Sequence, residues 1–256
     1  MKNVILLMLL FPLIAFSQTN EGYGVLVNEI ISPNPMHLQE FEDGLAAHNK
    51  KFHNQEMYGA RTYEIFNGKN TGKYVVVMGP MTWSAADEMP EQPKEHNTDW
   101  YSKVMSKSNP GTERTFWRAH PDQGNIPGDF TLNKLFIDTY AIKRGMGERV
   151  KEQVSKVQKV MAEKYPDLPY MVYTNEMASS ADGNDLAIVY FFDNWSWMGE
   201  DPKFKEAYNE VHGSGSFDTF LKDWEENITG KQSEIWIFRP DLSGVSGEIQ
   251  VATGQE

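Results

Sequence analysis

The chain has 256 residues, with 24 Lys and Arg against 36 Asp and Glu, and no cysteine. Without cysteine there is no disulfide, thiol nucleophile, cysteine-ligated zinc or iron–sulfur cluster. A formal charge of −12 repels the phosphates of nucleic acid and anionic lipid, so neither is an expected partner.

Residues 1–17 read MKNVILLMLLFPLIAFS: one basic residue, an apolar run interrupted by Pro12, then Ala15 and Ser17 at the positions before a cleavage site. This is the pattern of a secretory signal peptide, too short for a comfortable membrane span. It predicts an exported chain, periplasmic or secreted, with no membrane segment once the leader is removed.

From Tyr23 the pattern becomes regular. Tyr23 to Ile31 is a predicted strand by β-branched content. Asn34 caps a helix with Pro35 at its first position, and Leu38, Phe41, Leu45, His48 and Phe52 form one helical stripe. Arg61 to Phe66 and Tyr74 to Met78 are strands joined by a turn containing Asn67-Gly68 and Asn70-Thr71-Gly72. A second helix lies between Trp83 and Ser108, broken by Pro90 and Pro93. Thr112 to Ala119 is a fourth strand. The order is βαββαβ.

The same order then recurs. Asn133 to Ile142 is a strand, and Gly147 to Tyr165 a helix carrying Val150, Val154, Val157 and Met161. Tyr170 to Met177 and Leu186 to Phe192 are strands. Asp201 to Ile228 is mainly helical, with a Gly213-Ser214-Gly215-Ser216 break, and Glu234 to Arg239 closes the unit. Trp83-Ser84 echoes Trp195-Ser196, and Trp117…His120-Pro121-Asp122 echoes Trp236…Arg239-Pro240-Asp241. The expected organisation is a signal peptide (1–17), a ferredoxin-like repeat (18–122), a linker (123–130), a second repeat (131–241) and a flexible tail (242–256). The fold class is α+β: tandem ferredoxin-like repeats packed sheet to sheet as an intrachain, barrel-like pseudo-dimer with a possible cavity.

Aligning the first strands of the halves puts Val25, Val27 and Ile31 with Leu135, Ile137 and Ala141 on the helix-covered faces. Leu26, Asn28 and Ile30 then share the inter-sheet face with Phe136, Asp138 and Tyr140. A polar group at equivalent positions, Asn28 and Asp138, needs partners in such an interior.

The segments VVVMGPMTWSAADEM and AIVYFFDNWSWMGEDPKFKEAYNEV, placed after the hairpins of a βαββαβ order, resemble the dimeric α+β barrel superfamily. That superfamily includes antibiotic-biosynthesis monooxygenase-like, haem-degrading monooxygenase-like and NIPSNAP-like domains. The resemblance covers 23–119 and 133–240 as two fused copies and is stronger for fold than for chemistry. It implies either cofactor-free oxidation of an aromatic substrate or oxidative haem breakdown. The latter uses a first-strand Asn, a Trp and a haem-ligating His on the second helix. Asn28 matches the Asn, but the second half has Asp138 there. By the Phe204-Lys205-Glu206-Ala207-Tyr208 run, the ligand position falls on Tyr208, with His212 one turn later. His96 lies in roughly the corresponding helix of the first half. Neither half holds the full set.

The candidate ligand-binding residues are Asn28, Tyr63, His120, Asp138, Tyr140 and Tyr173. His48, on the apolar stripe where the second half has Val157, reads as a core histidine or a ligand or base; His37 and His53 read as solvent-facing. No metal site is expected, because the six histidines are scattered with no i,i+4 pair, and His48 and His53 face different sides. Nucleotide-binding and hydrolase motifs are absent. These features predict a protein that binds a small apolar or aromatic ligand between its repeats. The alternative is a monooxygenase-like enzyme, cofactor-free or haem-dependent, using the same cavity. The oligomeric expectation is monomer or homodimer.

Overall fold

Asn34 starts the first helical segment as its type demands: its Oδ1 accepts the Met36 N–H at 3.0 Å, with Pro35 next. From there the chain follows the anticipated order. The computed structural model describes residues 24–88, 92–178 and 183–250; the leader expected at 1–17 lies outside them. The first half comprises β1 (Val25–Ile31), α1 (Leu38–Phe52), β2 (Ala60–Ile65), β3 (Tyr74–Met81), α2 (Trp83–Ala86), α3 (Pro93–Lys103) and β4 (Glu113–Asn125). A short β5 (Phe130–Thr131) leads to the second half: β6 (Lys134–Ile142), α4 (Gly147–Lys164), β7 (Tyr170–Asn175), β8 (Leu186–Phe192), α5 (Phe204–His212), α6 (Ser216–Asn227) and β9 (Ile228–Phe238). β10 (Glu248–Ile249) follows. Gly213 and Gly215, both at positive φ, break the last helical stretch into α5 and α6, where only glycine adopts the backbone without strain.

Eight strands form a closed barrel in the order β1-β3-β2-β9-β6-β8-β7-β4. Within each half the order is fourth, first, third, second. Closure comes from two equivalent antiparallel seams between halves. At one, Tyr63 of β2 faces Phe238 of β9; at the other, Ala119 of β4 faces Tyr173 of β7. Every open sheet edge is thereby satisfied.

Apolar side chains are buried on both sides of this wall. Phe41, Leu45 and Val104 pack with Val27 and Ile31 beneath the first-half helices. Val150, Val154 and Met161 do the same with Val172 and Ile188 in the second half. A third cluster, including Tyr63, Val75, Trp117, Ile137 and Trp236, lines the inside of the barrel.

Two expectations are corrected. In β1 the faces are as anticipated, with Val27 and Ile31 towards the helices and Leu26, Asn28 and Ile30 inward. In β6 they are reversed: Leu135 and Ile137 point into the barrel, whereas Phe136, Asp138 and Tyr140 lie on the helix side. Both faces of β6 are apolar, so composition could not choose between them, and a slip of one residue exchanges every side chain. The true counterpart of Asp138 is Glu29. Each is a buried carboxylate on a first strand, paired with a cation of the fourth strand of its own half: Glu29 with Arg114 at 2.6 Å, Asp138 with Lys231 at 2.7 Å.

The second correction concerns the tail. Residues 242–250 are docked rather than loose. Leu242 is buried, and its carbonyl accepts from Asn49 Nδ2 at 2.8 Å and Thr62 Oγ1 at 3.1 Å. Glu248 and Ile249 pair with Thr131 and Phe130.

α1 and α3 touch at Gly44, where an added Cβ would lie 2.3 Å from the Lys103 carbonyl oxygen. Alanine normally gains up to about 1 kcal/mol over glycine in a helix interior. Here the enforced separation should cost about 1–3 kcal/mol, so Gly44→Ala should lower the melting temperature by several degrees in a thermal scan; a rise would refute the close helix contact.

Candidate functional site

The barrel encloses a cavity of about 380 Å³, within the range of small-ligand pockets. β1 supplies Asn28, β2 Tyr63, β4 Trp117, β7 Tyr173 and β9 Trp236; the β5–β10 pair adds Phe130 and Ile249. The two indoles are internally satisfied. Trp117 Nε1 donates to Thr115 Oγ1 at 2.9 Å, and Trp236 Nε1 to Glu234 Oε2 at 3.0 Å. Glu234 is further held by Asn70 Nδ2 at 2.9 Å.

Asn28 is different. Its Oδ1 is buried and has no hydrogen-bond partner, a costly condition for an amide in an apolar enclosure. The Tyr63 and Tyr173 side chains also line the cavity. Burial pushes both phenols well above their usual range, and the neighbouring Tyr173 adds to the effect on Tyr63. They therefore stay protonated and can donate to an acceptor in the cavity. Asn28, Tyr63 and Tyr173 thus face a cavity walled largely by apolar and aromatic groups, whose lining also includes Arg61, Lys69, Asn70, Glu113, Gln232 and Glu234.

Of the six sequence-predicted site residues, the structure brings Asn28, Tyr63 and Tyr173 together and separates the others. Asp138 and Tyr140 occupy the opposite face of β6. Asp138 accepts from Ser233 Oγ at 2.5 Å, and the Tyr140 ring meets Trp224 edge-on with centroids 5.1 Å apart. His120 alternates with the inward-facing Ala119 and Pro121, so its ring points out of the barrel, where Nε2 bonds Thr174 Oγ1 at 2.8 Å.

A second concentration of chemistry was not anticipated. His48 on α1, His53 just beyond it and His96 on α3 converge, with one ligating nitrogen from each ring within 4.8 Å of the others. His48 is fully buried and His53 is 6% exposed, which corrects the solvent-facing reading of His53. Helical spacing misplaces His53 because the chain leaves helical geometry at that residue, with φ −129° and ψ 40°. Burial lowers the His48 pKa to about 4 against the raising effect of Asp99, and burial with His48 and His96 nearby lowers that of His53 to about 4.

A haem of the kind implied by the family resemblance would find no imidazole inside the barrel, because no histidine lines the cavity. Outside the cavity, the His48 ring packs against those of His96 and Trp100, and His212 Nε2 bonds the Lys156 carbonyl at 2.9 Å on the far half.

No protein-family profile matches the chain, and no curated protein matches it by sequence. Solved structures do match in shape. A candidate monooxygenase from Lactobacillus acidophilus is 10% identical with a TM-score of 0.51, covering 90% of this chain and 99% of that one. A candidate monooxygenase from Fusobacterium nucleatum is 8% identical with a TM-score of 0.55, covering 84% and 92%. An anthrone oxidase-like protein is 8% identical with a TM-score of 0.50, covering 84% and 91%. The chain has the dimeric α+β barrel fold. Among the described residues no helix is long and apolar enough to cross a membrane.

The buried imidazoles set an acid limit on stability. Below pH about 6.5 the unfolded histidines take up protons that folded His48 and His53 refuse until about pH 4. Stability should therefore fall as pH drops from 6.5 to 4, measured by denaturant midpoint. His48→Gln should flatten that slope, and an unchanged slope would contradict the assignment.

Proposed function

We propose that the barrel interior binds a small, largely aromatic molecule carrying at least one hydroxyl or amine donor. The observation that carries this reading is Asn28, whose Oδ1 is buried beside the cavity without a donor. A ligand hydroxyl or N–H would supply it, while Tyr63 and Tyr173 can donate to a ligand oxygen. Trp117, Trp236 and Phe130 offer ring faces for the apolar body. Orientation then comes from hydrogen bonds and affinity from area removed from water.

A second reading, oxidation of such an aromatic by dioxygen without a resident cofactor, draws support from the names of the fold neighbours, two candidate monooxygenases and an anthrone oxidase-like protein. In that chemistry a ring CH₂ becomes a carbonyl: one oxygen atom of O₂ goes to carbon, and the other leaves as water with the two hydrogens. Oxygen uptake with anthrone, matched one to one by anthraquinone formation, would support it; no uptake would leave binding alone. The leader pattern of residues 1–17 supports a site of action outside the cytoplasm. The chain recovered from the exported fraction should then begin at Gln18 by N-terminal sequencing.

The binding reading is tested with 2-naphthol, an aromatic bicycle with one hydroxyl donor, followed by tryptophan fluorescence. Binding should saturate at one per chain. Asn28→Leu should weaken it about tenfold, the cost of one lost hydrogen bond. The same substitution removes a buried unsatisfied amide, so the melting temperature should rise rather than fall. Unsaturable quenching, or unchanged affinity in Asn28→Leu, would defeat the proposal.

A further inference from the structure

On the helix-covered side of the first-half sheet, away from the barrel cavity, three imidazoles are arranged as ligands. We infer that His48, His53 and His96 form a binding site for one divalent transition-metal ion, of the class represented by Zn²⁺.

The outer ring nitrogens are each held by an oxygen atom. His48 Nδ1 lies 2.9 Å from Asp99 Oδ1. His53 Nδ1 lies 3.1 Å from the Tyr58 carbonyl oxygen. His96 Nδ1 lies 3.3 Å from Asn97 Oδ1. In all three the facing atom is an oxygen acceptor, so each Nδ1 carries the proton and each Nε2 is left as a lone pair. Metal-bound histidines show this same outer arrangement, a carboxylate or carbonyl holding the ring N–H and fixing the tautomer.

One ring nitrogen from each residue lies within 4.8 Å of the other two. His53 Nε2 and His96 Nε2 are 3.1 Å apart. His48 Nε2 is buried with no hydrogen-bond partner, on a residue with no exposed surface. A metal-free arrangement can satisfy the first pair only if one of the two rings carries a proton on Nε2, and it leaves His48 Nε2 without a partner. One cation placed among the three satisfies them all.

The dimensions agree. Zn–N bonds of about 2.0–2.1 Å in a tetrahedron separate the nitrogens by about 3.4 Å. The observed separations begin at 3.1 Å, and the whole set lies within 4.8 Å, so closure needs small ring movements. Three neutral imidazoles select the borderline ions Zn²⁺, Cu²⁺, Ni²⁺ and Co²⁺ over Mg²⁺ and Ca²⁺, which favour oxygen. His96 is only partly buried, leaving a fourth position within reach of water. Asp99, bonded to His48 Nδ1 and also to Lys103 Nζ at 2.5 Å, places a carboxylate beside the added charge.

The test uses the purified, untagged protein, stripped with EDTA and dialysed, then titrated with Zn²⁺ by calorimetry and with Co²⁺ by visible absorption. The expected result is one ion per chain and the intense d–d bands of a tetrahedral, nitrogen-ligated Co²⁺. His96→Ala, on the partly exposed ring, should weaken binding by about 100-fold or more. Asp99→Ala should weaken it about 10–100-fold while keeping the Co²⁺ band positions, because it removes an orienting group and no ligand. His212→Ala, on the other half, should bind as the parent does. If His48→Ala fails to fold, the Co²⁺ spectrum of the parent still decides. Substoichiometric uptake, an octahedral Co²⁺ spectrum, or unchanged affinity in His96→Ala would overturn the site.

Discussion

The structure depends on one constraint: neither four-stranded sheet can satisfy its own edges. β2 and β4 of the first half, and β7 and β9 of the second, each expose a row of backbone donors and acceptors. Pairing β2 with β9 and β4 with β7 consumes all four edges at once. It also brings the two uncovered faces around a shared interior. The cavity is therefore a consequence of closure. Its wall carries side chains from all eight strands, and no single half could form it.

Closure also explains why the polar groups inside matter. In an enclosure this apolar, a polar atom is either paired or a liability. Glu234, Trp117 and Trp236 are paired. Asn28 is not, and that contrast makes it informative. On the other side of the wall the same reasoning applies to His48. Its Nδ1 is held by Asp99 while its Nε2 is left without a donor. These two unpartnered atoms lie on opposite sides of the same sheet, and they are where the two proposals place an organic donor and a cation.

The halves share a topology but differ in what their helices cover. Beneath α1 and α3 lie three histidines and Trp100. The corresponding space under α5 and α6 is packed by Tyr208, Phe217, Phe220 and Trp224. The aromatic packing needs nothing further, whereas the histidine packing leaves a lone pair unanswered.

What the amino-acid order determined by itself was local and periodic: the βαββαβ order twice over, the stripe of Phe41, Leu45 and His48 on α1, the Pro and Gly breaks, and the inward placement of Asn28. These follow from spacing along one element, which a linear reading sees. Only the tertiary structure decided which face of β6 turns inward, because both faces are apolar and a one-residue slip costs nothing locally. It alone docked residues 242–250, whose hold on Asn49 and Thr62 spans most of the chain. It alone gathered His48, His53 and His96, since His53 sits past the end of its helix and His96 arrives from a different helix. Such meetings are set by packing between elements, and no periodicity within a single element records them.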